Sequence, residues 1–243
     1  MGDPVVHFEI NGPDDELVAK FYSELFGWHT ESMPEPPYTT IDTHGGAGIN
    51  GGIAKADRPY STIYVGSDDL QGRLDRAGAL GASTTVPVTD IPNVGAFAQF
   101  ADPDGNLIGL FKPGEGEQPG VSTGSNPPVT WFEIYGKEPE PLWQFYRELF
   151  GWTIKEQTGE GFVYGEVDTG AGQGINGGIT ANPMKQPGVA IWAESEDQQG
   201  YLDRAVELGG TAIMPPTEMS GGLKIAMFAD PQGTFCGVYS YKQ

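Results

Sequence analysis

Twenty-two consecutive residues, HFEINGPDDELVAKFYSELFGW from His7 to Trp28, align without a gap on WFEIYGKEPEPLWQFYRELFGW from Trp131 to Trp152, 124 positions later. The segment GINGGI at Gly48 returns letter for letter at Gly174, and Asp42 upstream of it returns as Asp168, both 126 positions on. LDRA at Leu74 and Leu202, and FADPDGNLIGL from Phe100 against FADPQGTFCGV from Phe228, are 128 apart. An offset that grows by two residues twice is what two short loop insertions leave in a duplicated chain. Whatever this chain folds into must therefore be built twice, and 243 residues suffice for two domains with separate cores. The Gly/Pro/Ser-rich stretch KPGEGEQPGVSTGSNPP reads as the connection. The expected division is a first domain over 1–113, a linker over 114–128 and a second domain over 129–243.

Within each copy the elements follow from periodicity. VVHFEI predicts a strand with Phe8 and Ile10 on one face and His7 and Glu9 on the other. Asp14 or Asp15 can cap a helix in which Val18, Phe21, Tyr22 and Leu25 form an apolar stripe and Gly27 is the stop. Leu142, Phe145, Tyr146 and Leu149 repeat the stripe. Strands are expected near Tyr38 to Asp42 and at GINGGI, then a strand at STIYVGS, a helix in DDLQGRLDRAGALGA, and a hairpin turning at Asp102 to Gly105. DPDG and DPQG are proline turns, without the spaced carboxylates of a calcium loop. The pattern is four β-α-β-β-β modules, and strands grouped on one side of each helix make the class α+β.

Composition narrows the function. A formal charge of −20 repels phosphate backbones, so no nucleic-acid partner is expected. No apolar run reaches the roughly 18 residues of a membrane helix, and the first residues carry no secretory pattern. The expected location is cytoplasmic, as a monomer or homodimer. One cysteine, Cys236, excludes an internal disulfide and a thiolate-rich zinc site, and reads as a buried filler. His29 and His44 read as surface residues, and GAGING lacks the Lys-Ser/Thr of a phosphate loop.

FYSELFGW after a first strand and FADPDGNLIGLF at the end of the copy resemble the signature of the vicinal oxygen chelate superfamily. That superfamily includes glyoxalase I, extradiol dioxygenases, fosfomycin-resistance enzymes and bleomycin-binding proteins. The chain is most similar to its two-domain actinobacterial members, some described as hydroxylases of antibiotic pathways. The resemblance covers both copies and implies tandem glyoxalase-like domains whose curved mixed sheets form cups. It further implies that metal-using members place ligands at positions matching His7, Asn50 or Gly51, Thr62 and Gly109 in the first copy. In the second copy the matching positions are Trp131, Asn176 or Gly177, Ala190 and Gly237. Only His7 is a good donor, whereas a metal site needs about three protein ligands. The expectation is no metal and no cofactor.

Other residues stand out on the same predicted face. Glu9 and Glu133 match across the copies and share strand parity with His7 and Trp131, which makes all three of Glu9, Glu133 and His7 candidates for proton transfer. The plainer readings are a rim carboxylate and a hydrogen-bonded strand histidine. Tyr64, Phe111, Trp131, Trp192 and Tyr239 would line the cup with rings, with Asn50 and Asn176 beside them, suiting a small aromatic or apolar molecule. Asn-Gly-Gly in a strand leaves room for close approach, or makes a bulge. The favoured expectation is a metal-independent protein that encloses such a molecule, either acting on it in a secondary-metabolite pathway, for instance by assisting a hydroxylation, or sequestering it. A metal-dependent lyase or dioxygenase is the alternative of another class.

Overall fold

The computed structural model describes residues 2–35, 37–114, 123–159, 162–182 and 186–242, with the side chain of Phe162 excepted. Each copy repeats one order of elements. The first runs β1 (Val5–Asn11), α1 (Asp15–Phe26), β2 (His29–Pro34), β3 (Pro37–Asp42), β4 (Gly51–Ile53), β5 (Tyr60–Gly66), α2 (Leu70–Ala79), β6 (Ser83–Ile91), β7 (Gly95–Ala101) and β8 (Leu107–Pro113). The second runs β9 (Val129–Gly136), α3 (Pro139–Phe150), β10 (Thr153–Gly159), β11 (Phe162–Asp168), β12 (Asn176–Ala181), β13 (Gly188–Glu194), α4 (Gln198–Glu207), β14 (Thr211–Glu218), β15 (Leu223–Ala229) and β16 (Phe235–Tyr241). The strand orders are β2-β3-β4-β1-β5-β8-β7-β6 and β10-β11-β12-β9-β13-β16-β15-β14. Both sheets are mixed: β1 runs parallel to β4 and β5 to β8, while β2-β3 and β6-β7-β8 are antiparallel. The fold is thus tandem and α+β, as the repeat requires. β2 and β6 are strands that the sequence reading did not place individually. Most of the central linker lies outside the described residues.

The compact units of the chain do not coincide with its copies. One unit comprises Met1–His7, Thr62–Pro119 and Phe132–Val189, so it joins the second half of copy one to the first half of copy two. The other comprises Phe8–Ser61, Gly120–Trp131 and Ala190–Gln243.

The repeated motif FY-x-ELFGW explains how each unit is held. In the second unit, Tyr22 stacks on Trp28 at 5.6 Å and 9°, and Phe26 packs on Trp28, Tyr201 and Phe228. In the first unit, Tyr146 stacks on Trp152 at 5.4 Å, and Phe145 and Phe150 meet Phe100. Such ring pairs stabilise beyond the area they bury. The indole nitrogens are also satisfied, Trp28 Nε1 donating to Pro127 O at 2.9 Å and Trp152 Nε1 to Asp3 O at 2.7 Å. Asp14 caps α1 by accepting from Leu17 N at 2.9 Å, and Gly27 closes it at φ +75°, where a side chain would be strained.

The DP turns have a similar task. Asp102 Oδ1 accepts the backbone N–H of Asp104, Gly105 and Asn106, each at 2.9 Å, which shapes the turn. Its Oδ2 accepts from Tyr146 Oη at 2.8 Å, tying the turn to α3. Burial raises the Asp102 carboxyl above its ordinary value, and the donors around it oppose that rise. The counterparts Tyr22 and Asp230 lie near each other, and after burial the Asp230 charge is the main cause holding the Tyr22 phenol high. No bond of normal geometry joins Tyr22 Oη or Asp230 Oδ2 to a partner.

Candidate functional site

One face of every central strand packs on the helices, and the alternate residues form a helix-free face. Phe8 and Ile10 are fully buried on the helix side of β1, as are Ile63 and Val65 on β5 and Ile108 and Leu110 on β8. The alternation therefore puts His7 and Glu9, Tyr64, and Gly109 and Phe111 on the helix-free face. The same logic places Trp131 and Glu133, Trp192, and Gly237 and Tyr239 there in the second copy.

In the first unit, the His7 and Tyr64 rings meet edge to face, 5.7 Å between centroids. Tyr64 lies over Gly109, its direct partner across the β5–β8 ladder, and a Cβ at Gly109 would collide with the ring. Desolvation lowers the half-buried His7 imidazole to about 4, so His7 is neutral near pH 7. Phe111 pairs with Phe97 of β7 and borders an open groove of about 690 Å³ at the start of α2. Arg73 in that groove is engaged by Asp3 Oδ2 at 2.7 Å and by Leu149 O at 2.8 Å. Of the sequence-predicted site residues, Phe111 alone borders the groove.

In the second unit the equivalent positions carry Trp131, Trp192 and Tyr239. Trp192 lies over Gly237 as Tyr64 lies over Gly109. The Tyr239 hydroxyl shares a hydrogen bond with Thr130 Oγ1 at 2.8 Å, and burial is the main cause that raises its phenol. Trp192 is 4% exposed and its Nε1 is buried without a hydrogen-bond partner. An unmet buried donor of this kind costs about 1–3 kcal/mol.

Each glutamate sits beside a tyrosine that the sequence reading missed, Glu9 buried and Glu133 half-buried. Glu9 is 9% exposed, and its Oε2 accepts from Asn11 Nδ2 at 3.4 Å. Tyr38, from β3, hydrogen-bonds Glu9, and burial followed by the Glu9 charge keeps this phenol well above its usual value, hence protonated. Tyr38 reaches Glu9 by lying over Gly52, which is paired with Glu9 in the β1–β4 ladder, and any Cβ at Gly52 would strike its hydroxyl. Glu133 Oε2 accepts from Tyr135 Oη at 2.6 Å, and Tyr164 lays its hydroxyl over Gly178 just as Tyr38 does over Gly52. A signal for this existed: Tyr38 and Tyr164 are 126 apart, the offset of GINGGI itself.

GINGGI is now explained residue by residue. Asn50 Oδ1 accepts from Thr43 N at 3.0 Å and Thr43 Oγ1 at 3.1 Å, and Asn176 does the same with Thr169 at 3.0 and 3.2 Å. Both amide oxygens thus close the loop leading into the strand. Gly51 and Gly177 lie on the helix side, under the Phe8 and Phe132 rings, so the expectation of Gly51 at a ligand position is corrected: Gly52 faces the other way. No β-bulge interrupts the pairing of Gly51 and Gly52 with Phe8 and Glu9.

A metal does not fit these residues. Among the described residues no three His, Cys, Asp or Glu side chains form a group that could hold one. Thr62 Oγ1 donates to Leu107 O at 2.6 Å, while Gly109 and Gly237 lie beneath rings. Elsewhere, His44 meets Asp42 at 3.1 Å and stacks with His29, and Cys236 is a buried thiol.

The repeat of module, motif and strand order finds its match in one family model, which covers residues 5–110 and again 129–235. The chain belongs to the glyoxalase/bleomycin resistance protein/dioxygenase superfamily. Within it, the chain is 26% identical over 258 residues to the anthracycline biosynthesis protein DauV of Streptomyces sp. (strain C5), covering 97% of this chain and 92% of that one. Two solved structures share the fold. The 2,3-dioxygenase LapB from Pseudomonas sp. KL28 has a TM-score of 0.69 at 14% identity, covering 100% of this chain and 95% of that one. The Mn(II)-bound glyoxalase from Novosphingobium aromaticivorans has a TM-score of 0.68 at 14% identity, covering 98% and 81%. No described helix of this superfamily member is long and apolar enough to cross a membrane.

Proposed function

We propose that the chain binds a small, flat aromatic or apolar metabolite on the helix-free strand faces, without a metal ion, as part of secondary metabolism. The observation that carries this reading is the substitution of rings over glycines, Tyr64 on Gly109 and Trp192 on Gly237, where metal-using members would present donors. Rings without a donor set favour stacking over chelation. The likeness to a protein named for anthracycline biosynthesis supports the metabolic setting.

Two classes remain within this reading. As an enzyme, the chain would transfer protons at Glu9, Glu133 or the neutral His7, whose depressed value leaves a nitrogen able to accept. As a binder, it would hold the same molecule without chemistry.

Titration with planar aromatics, followed by tryptophan quenching, tests the reading. Trp192→Ala should weaken binding roughly tenfold or more if its ring is a main contact. Unchanged affinity in Trp192→Ala and Tyr64→Ala together would end it. Glu9→Gln with Glu133→Gln should spare a binder but slow an enzyme by roughly a hundredfold or more.

A further inference from the structure

Each half of the chain sets a tyrosine hydroxyl over the second glycine of GINGGI, and each half holds a glutamate on its first strand with a side-chain donor. Glu9 is held by Asn11 and Tyr38 over Gly52, and Glu133 by Tyr135, with Tyr164 over Gly178. The partner beside the carboxylate changed between copies, Asn11 becoming Tyr135, yet it still donates to Oε2. What stayed the same is the glutamate, the crossing tyrosine and the second glycine. A glutamate that only solubilised the rim would need none of the three.

We propose that Tyr38, Tyr135 and Tyr164 are positioning residues that fix Glu9 and Glu133 as hydrogen-bond acceptors for a neutral, hydroxyl-bearing ligand, and that Gly52 and Gly178 exist to let the tyrosines cross. This deepens the preceding proposal by naming the polar part of the ligand. A carboxylate has acceptor sites for about four donors, so the donors that orient it and a ligand hydroxyl can share it. Phenol donors fix the plane of the carboxylate, and a preset acceptor loses little on binding. The same group rejects anions, because bringing a second negative charge beside a buried carboxylate is costly. A chain with formal charge −20 adds to that rejection. The ligand class is therefore a flat molecule with a phenol or alcohol at its edge, and not a carboxylate or a phosphate ester.

Two measurements test this, one of them without any ligand. With ¹³C-labelled glutamate, the Glu9 and Glu133 carboxyl signals are followed against pH in the wild type and in Tyr38→Phe, Gly52→Ala, Tyr164→Phe and Gly178→Ala. Removing a donor disfavours the charged carboxylate, so each tyrosine variant should raise the midpoint of its own glutamate by about one pH unit or more. Each glycine variant should do the same, because the tyrosine can no longer cross. Midpoints unmoved by the tyrosine or the glycine changes would overturn the positioning role, whatever binds.

The second measurement compares 2-naphthol, 2-methylnaphthalene and 2-naphthoate. The expected order of affinity is naphthol, then methylnaphthalene, then naphthoate, with naphthol ahead by about tenfold. In Glu9→Gln/Glu133→Gln the gap between naphthol and naphthoate should narrow by at least that factor. Equal binding of all three to the wild type would overturn the ligand class while leaving aromatic binding intact. Failure of all three to bind would count against both proposals on ligands, with the titration still deciding the tyrosines.

Discussion

The two copies act as controls for each other at one buried contact, and Tyr146→Phe exploits this. The change removes only the hydroxyl that donates to Asp102 Oδ2 at 2.8 Å. Asp102 keeps three backbone donors on Oδ1 and the Asn106 side chain on Oδ2 at 2.8 Å, so no orphaned carboxylate complicates the outcome. The loss should then be that of one hydrogen bond to a charged group, about 1.5–3 kcal/mol. In a chain of this length that corresponds to a fall in Tm of roughly 3–12 °C. Tyr22→Phe removes the equivalent hydroxyl in the other unit, where it meets the Asp230 carboxylate short of normal hydrogen-bond geometry. That change should cost less than Tyr146→Phe, because a contact short of normal geometry holds less than a full hydrogen bond. Hydrogen exchange on α1 and α3 reads each unit separately, which avoids assuming a single two-state transition. Equal losses for the two variants, or a larger loss for Tyr22→Phe, would refute the reasoning.

Two further outcomes are expected. His7 has a folded value of about 4 against an ordinary 6.5, so between those values the unfolded chain binds the extra proton. Stability should be complete above pH 6.5 and decline as pH falls toward 4, by up to about 3 kcal/mol and less where solvent screens the ring. His7→Phe should flatten that slope, and a titration of the His7 imidazole itself near 6.5 in the folded wild type would contradict the placement of the ring. Elemental analysis of the purified chain should find well below one equivalent of Zn, Ni, Fe or Mn. One equivalent that vanishes in His7→Ala would show that a donor set assembles after all.

Much of this fold could be read from the letters, because helices and turns in it are specified locally. Asp14, the apolar stripe to Leu25 and Gly27 appear in the structure as cap, buried face and left-handed stop of α1. β2 and β6 escaped notice for a physical reason: both are largely solvent-exposed, so neither alternates strongly between apolar and polar residues. The helix-free face of β1 and β5 followed from parity, but side-chain direction did not. Asn50 and Glu9 share a face in the pattern, yet the Asn50 amide turns back to Thr43 whereas Glu9 meets Tyr38. Tyr38 itself was hidden because its partner is two strands away, and only the pairing of β3, β4 and β1 brings it across Gly52. Contacts over such distances in sequence are set by the ladder register, which no local pattern encodes.

The composition of the two compact units bears on how the chain could have arisen. Each unit takes one half from either copy, so neither copy alone contains a whole unit. A single ancestral copy would have left its α1 rings and Phe100 unmatched, since Phe26 packs on Phe228 and Phe100 on Phe145 and Phe150, and two such chains exchanging halves would have satisfied both. Joining them end to end turns a concentration-dependent meeting into one that a tether enforces. Once tethered, the halves no longer had to be identical. That freedom is visible where His7 is replaced by Trp131 in the second copy and Asn11 by Tyr135. Fusion thus let one ancestral surface become two different ones within a single polypeptide.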